Sequence, residues 1–235
     1  MNRLNHPQLP LGFEPGELFT FDSFIPGPNA VAAGLARQLA CGEGETQLYF
    51  WGENGLGKSH LLQASCNLAA KQGLSVCYLT AAEISRQPVE LFAGLETLDL
   101  LCLDELENWL VEPQWQLALF DLINRVRETG HRLIMAATQP ADEQFVQLPD
   151  LRSRLSWGPV FQLLPLSDED KYLALSHRAR QSGLDLPRQV ADYLMQRYPR
   201  DMFGLFERLA VLDKASMVMK RKLTIPLVKS VFTEE

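Results

Sequence analysis

Eight consecutive residues, Gly52-Glu53-Asn54-Gly55-Leu56-Gly57-Lys58-Ser59, constrain this chain more than any other feature, because they satisfy G-x-x-x-x-G-K-[ST] at every position. The apolar run QLYFW precedes them, and a stretch carrying Leu61, Leu62 and Leu68 at helical spacing follows. The motif therefore falls between a strand and a helix. Its glycines let the backbone wrap an anion without Cβ clashes, while loop amides and the helix N-terminus turn positive dipoles inward. Lys58 is suited to balance the outer phosphates of a nucleotide and Ser59 to ligate Mg²⁺. A glycine-rich turn of purely structural purpose can spell the same letters, but such chance matches rarely land between a strand and a helix.

From Gln47 onward, short apolar runs alternate with longer helical patterns. QLYFW leads to a helix from Ser59, SVCYL to a helix past Ala81, LDLLCL to a helix from Gln114, and RLIMAAT to a loop and VFQLL. Such alternation predicts an α/β fold, a parallel sheet flanked by helices. In the third helix, Trp115, Leu119, Leu122 and Val126 share one face toward the sheet, and Asn124, Arg125 and Glu128 are expected in water. Residues 1–20 hold Pro7, Pro10, Pro15, Gly12 and Gly16 and read as an extended arm, with regular structure expected only from Gln47.

After Pro165 the strands stop, and helical patterns run over Ser167 to Ser182, Pro187 to Tyr198, Asp201 to Met219 and Pro226 to Phe232. Ser167, followed by three acids, reads as an N-cap. The expected division is an arm over 1–20, an α/β domain over 21–165 and a small all-α domain over 166–235. A chain of 235 residues, 46% of them hydrophobic, can bury both cores.

A net charge of −7 argues against binding nucleic acid by bulk attraction to phosphates, and Lys220-Arg221-Lys222 reads as a solvated helix end. No run approaches the roughly 18 apolar residues of a membrane span. The start, MNRLNHPQLP, lacks the apolar centre of a secretory signal. A cytoplasmic chain with no membrane partner is expected. Cysteines 41, 66, 77 and 102 form no C-x-x-C pair and read as reduced core thiols.

Further candidates for chemistry follow the strands. LDLLCL ends in Asp104 and Glu105, which beside a phosphate loop suit the Mg²⁺ shell and the polarisation of an attacking water. Thr138 and Gln139 close RLIMAAT, where a polar side chain can read the γ-phosphate or cap the following turn. In LPDLRSRLSWG, Arg154 and Arg152 are suited either to reach a neighbouring subunit's phosphate or to lie on the surface of a short helix.

These elements, in this order, resemble the AAA+ family and within it the bacterial replication initiator DnaA, over Phe19 to Phe232. FTFDSFIPGPN is similar to the initiator's leading motif, GENGLGKSHLL to its phosphate loop and SRLSWG to the segment bearing its arginine finger. The resemblance implies that the helical part is a lid. It implies ADP or ATP with Mg²⁺, held by Ile25, Gly52, Asn54, Gly55, Leu56, Gly57, Lys58, Ser59 and His60. The base is left open, and the metal shell falls to Ser59 and Asp104. Glu105, Thr138 and Arg154 take catalytic roles, with Arg154 acting in trans and Arg152 as the second candidate.

LPLSDEDK, and a chain expected to end after LTIPLVKSVFTEE without a helix-turn-helix domain, are similar to the branch whose members switch the initiator off by promoting hydrolysis of its ATP. Gln8-Leu9-Pro10-Leu11-Gly12-Phe13 resembles peptides that dock into the DNA-loaded sliding clamp, with Gln8, Leu9, Leu11 and Phe13 making contact. The implied partners are DnaA, the clamp, DNA through these, and further copies of the chain in a homo-oligomer. The chain departs from the family at Phe203, where the lid ordinarily carries an arginine; Arg200 lies nearby. That departure implies weak turnover of the chain's own nucleotide. A self-sufficient replication ATPase, initiator-like or a helicase loader, is the alternative.

Overall fold

The computed structural model describes residues 19–142 and 145–232. They fall into two compact units. The first comprises the described residues through Phe21, Val31–Gly52 and Lys58–Leu163; the second comprises Asp22–Ala30, Glu53–Gly57 and the residues from Leu164.

In the first unit, five parallel strands form one sheet: β1 (Gln47–Trp51), β2 (Val76–Leu79), β3 (Leu100–Leu103), β4 (Arg132–Ala137) and β5 (Val160–Gln162). Their order is β2-β3-β4-β1-β5. The strand order thus reverses at β1, which lies between β4 and β5, and in such sheets ligands bind beyond the carboxyl ends at this kind of crossing. The central strands read as unbroken apolar runs because helices cover both faces; all four residues of β3 are buried.

The helices of this unit are α1 (Ala30–Ala40), α2 (Lys58–Lys71), α3 (Ala81–Ile84), α4 (Leu106–Trp109), α5 (Pro113–Thr129) and α6 (Pro149–Leu155). Helix α1 precedes the point where regular structure is expected. Its buried face is Ala32, Ala36, Leu39 and Ala40, and alanine marks a core face less plainly than a large apolar side chain does. Beyond Ala81 a single helical turn ends at Ile84, and short 3₁₀ turns around Pro88 and Gly94 lead to β3.

On α5, Trp115, Leu119, Leu122 and Val126 are buried as their spacing predicts. Glu128 is exposed, whereas Asn124 and Arg125 are only half-exposed and hydrogen-bonded, to Arg154 and to Glu96 and Phe92. Phe92, Trp109 and Trp115 meet edge to face with centroids 5.2 to 6.0 Å apart, fixing α4 against α5. Each such pair contributes about 0.5–1.5 kcal/mol beyond its buried area.

The second unit is helical: α7 (Asp168–Gln181), α8 (Arg188–Arg197), α9 (Met202–Met219) and α10 (Ile225–Val231) pack around Leu175, Leu194, Leu205, Leu212 and Val228. Ser167 caps α7 by accepting from Asp170 N, and Asp201 caps α9 by accepting from Gly204 N. Cys66, Cys77 and Cys102 are buried free thiols and Cys41 is half-buried. Burial pushes the Cys77 thiol up to about 12. No helix among the described residues is long and apolar enough to cross a membrane.

Candidate functional site

Strand β1 runs into the phosphate-loop motif through glycines at positive φ: Gly52 at 143°, Gly55 at 80° and Gly57 at 95°. Residues with a Cβ rarely adopt these angles. Gly57 is doubly excluded from carrying one, because a Cβ there would lie 2.8 Å from Phe24 Cε2. At Gly55 it would meet Asp201 Cβ and Met202 N at 3.4 Å, so the first turn of α9 lies against the loop. Asn54 is exposed, Leu56 half-buried, and Ile25 half-buried beside Phe24 in sequence. The loop is thus a cradle of bare backbone, the form a polyphosphate needs.

Lys58 opens α2 and is buried, with Nζ donating to Gly52 O at 2.6 Å. Burial holds its pKa below the usual lysine range, and the carboxylates of Glu107, Asp104 and Glu105 oppose that shift. Ser59 is exposed. His60 turns toward the leading segment: a ring nitrogen lies 2.9 Å from Thr20 O, and the ring meets Phe19 edge to face.

Strand β3 delivers Asp104, 1% exposed, at the same sheet end. Its Oδ1 accepts from Glu105 N at 2.9 Å and its Oδ2 from the Tyr78 hydroxyl at 2.8 Å. Tyr78 also hydrogen-bonds the Ser59 side chain, so one phenol joins the two expected metal ligands. Burial, then the Asp104 charge, raises the Tyr78 pKa far above the tyrosine range, keeping the proton that Asp104 accepts. No group of three or more His, Cys, Asp or Glu suited to a metal occurs among the described residues. One carboxylate and one hydroxyl are what Mg²⁺ takes from a protein when water and phosphates fill its other positions, so Ser59 and Asp104 fit that ion.

Glu105 sits at φ 56°, a left-handed conformation rare for a residue with a side chain. Such strain costs of order 1–3 kcal/mol and persists where the surroundings over-determine it. Here Glu105 Oε2 accepts from Ala81 N at 3.2 Å, and Trp109 Nε1 donates to Asp104 O at 3.1 Å. Glu107 Oε2 accepts from Thr138 N at 3.0 Å, linking the acidic turn to the end of β4. Tyr49 holds the next residue by donating to Gln139 O at 2.9 Å. Thr138 therefore stands beside the acids at one sheet end.

Arg154 belongs elsewhere in the first unit. It lies on α6, with Nε donating to Asn124 Oδ1 at 3.0 Å and Cζ 3.9 Å from the centroid of the Trp157 ring. Arg152 is half-buried, and its Nε has no hydrogen-bond partner among the described residues. In the second unit, Phe203 is 66% exposed. Arg200 is engaged there by Asp168 Oδ2 at 3.4 Å and Met195 O at 2.9 Å. Gln8, Leu9, Leu11 and Phe13 lie outside the described residues.

Sequence reasoning passed over Tyr78, Glu107, Gln47, Asn124 and Phe24. Glu107 follows Asp104 and Glu105 closely enough to have been suspected. The others are read only in three dimensions, because each acts through a residue 20 or more positions away in the chain.

The family model described as the bacterial DnaA ATPase domain matches residues 16–162. A second, described as the lid domain of Hda, matches residues 168–232. Among solved structures, domain III of the Thermotoga maritima initiation protein DnaA is similar with a TM-score of 0.83 at 20% identity, covering 94% of this chain and 98% of that one. AMPPCP-bound DnaA from Aquifex aeolicus gives 0.71 at 23% identity, covering 84% and 66%. The Thermotoga maritima RuvB Holliday junction branch migration motor gives 0.70 at 17% identity, covering 92% and 71%. Similarity this distant carries the fold, and a branch migration motor shares it.

Proposed function

Since the chain belongs to the bacterial DnaA ATPase family, as an Hda-like, DnaA-homologous AAA+ replication protein, we propose that it is a nucleotide-bound regulator acting on the initiator's ATP. In this reading ADP or ATP lies in the cradle of Gly52 to Ser59, with Lys58 on the outer phosphates and Ser59 and Asp104 holding Mg²⁺. The metal supplies charge neutralisation at the phosphates. Arg154 is presented to the γ-phosphate of ATP bound to DnaA, where a finger in trans is worth about 10³–10⁵ in rate. The DNA-loaded clamp is bound through Gln8, Leu9, Leu11 and Phe13. The outcome is repression of re-initiation.

The observation that carries this reading is the state of Arg154, whose terminal nitrogens meet no carboxylate among the described residues. An arginine held by an aromatic ring and a neutral amide stays open to an anion from outside the chain. Exposed Phe203, where the lid ordinarily carries an arginine, supports a slow cycle at the chain's own cradle.

The test incubates ATP-loaded DnaA with this protein and clamp on DNA and follows phosphate release. Hydrolysis should accelerate with the wild type, and fall to the initiator's basal rate with Arg154→Ala or with residues 8–13 deleted. An unchanged rate on adding the wild type refutes the proposal.

The clustering of Glu105, Glu107 and Thr138 around the acidic turn favours a second reading, in which the chain is an autonomous replication ATPase. DNA-stimulated turnover by the isolated protein, abolished by Lys58→Ala, would establish it.

A further inference from the structure

The surroundings of Arg154 are more fully built than a surface arginine requires. Gln47, 8% exposed, donates from Nε2 to Arg154 O at 2.7 Å and Leu155 O at 3.3 Å, fixing the backbone at the end of α6. A Cβ on Gly158 would lie 2.0 Å from Gln47 O, so the backbone beside Trp157 is pressed against the start of β1. The Arg154 guanidinium then lies 3.9 Å from the Trp157 centroid and 5.3 Å from that of Phe120, with Nε tied to Asn124 Oδ1 at 3.0 Å. A second guanidinium, that of Arg127, lies 4.0 Å from the same indole. Neither cation has a carboxylate partner among the described residues.

We infer that Trp157 and Asn124 are positioning residues that hold Arg154 ready for a phosphate. An arginine oriented by a carboxylate must break an ion pair before it can serve another anion. One held by an aromatic face and a neutral amide keeps both terminal nitrogens for phosphate oxygens. The amide fixes the Nε edge, and the indole fixes the plane and limits the rotamers of a long, mobile side chain. Arg127 on the same ring adds positive potential without competing for those donors. This inference rests on the reading of Arg154 as a finger acting in trans.

The experiment uses the full chain with clamp on DNA and ATP-loaded DnaA. Trp157→Leu should lower the maximal stimulated rate about tenfold, as expected for a lost cation–π contact, while the concentration giving half-maximal stimulation stays unchanged. Trp157→Phe should restore most of the rate. Asn124→Asp, nearly isosteric, should also lower it, because a carboxylate there pairs with the guanidinium. The signature independent of activity is the Arg154 Nε–H resonance in ¹⁵N-labelled protein, assigned by its loss in Arg154→Lys. The indole should shift it upfield in the wild type, and Trp157→Leu should return it toward the position of free arginine. An unshifted wild-type resonance, or full stimulation by both Trp157→Leu and Asn124→Asp, overturns the inference. If Arg154→Ala stimulates like the wild type, the finger reading itself fails.

Discussion

At Gly57 a torsion and a contact forbid the same atom. The residue sits at φ 95°, and a Cβ would come within 2.8 Å of Phe24 Cε2. Gly57→Ala should therefore cost about 1–3 kcal/mol in urea unfolding and abolish binding of a fluorescent nucleotide by displacing Lys58. This demand was legible in the letters of the motif, since a glycine before Lys-Ser has a mechanical reason. The Tyr78 bridge between Ser59 and Asp104 was not, because a tyrosine in an apolar run carries no mark of the carboxylate on the next strand.

Among the elements, β2 and β3 are joined at their starts by a reciprocal pair. Ser75 donates through N (2.8 Å) and Oγ (2.6 Å) to Asp99 Oδ2, and Asp99 N donates to Ser75 Oγ at 3.1 Å. The two Ser75 bonds hold the Asp99 carboxyl below its usual range. A carboxyl depressed in the folded state stabilises fully above its unfolded pKa, about 4, and loses that contribution as pH falls through the lower folded value. Urea unfolding should show wild type exceeding Asp99→Asn at about pH 5, with the margin closing below about pH 4. Strands β1 to β4 were legible from apolar runs of four to six residues, as were the helices of the second unit, most plainly α8, where charged and apolar residues alternate at helical spacing. Helix α1 was not, since three of its four buried positions are alanine. Nor was the half-burial of Asn124, whose polarity marks the partner it meets, Arg154, and not contact with water.

For the whole molecule, a ligand that binds only the folded chain must stabilise it by mass action. Nucleotide at 100 times its dissociation constant should add about 2.7 kcal/mol, read as a rise in melting temperature with Mg²⁺ present. Lys58→Ala should show no such rise. The same strand that leads into the cradle at Trp51 begins at Gln47, which holds the backbone of Arg154. Five residues of β-strand separate the proposed cradle from the support of the proposed finger by roughly 13 Å along one rigid axis. A subunit built this way has a front and a back. An isologous pair joining cradle to finger would have to bring both ends of that strand to a single interface, whereas a head-to-tail contact uses one end from each molecule. On the reading of Arg154 as a finger acting in trans, this chain would meet its partner head to tail, with its Gln47 end turned to the partner's nucleotide.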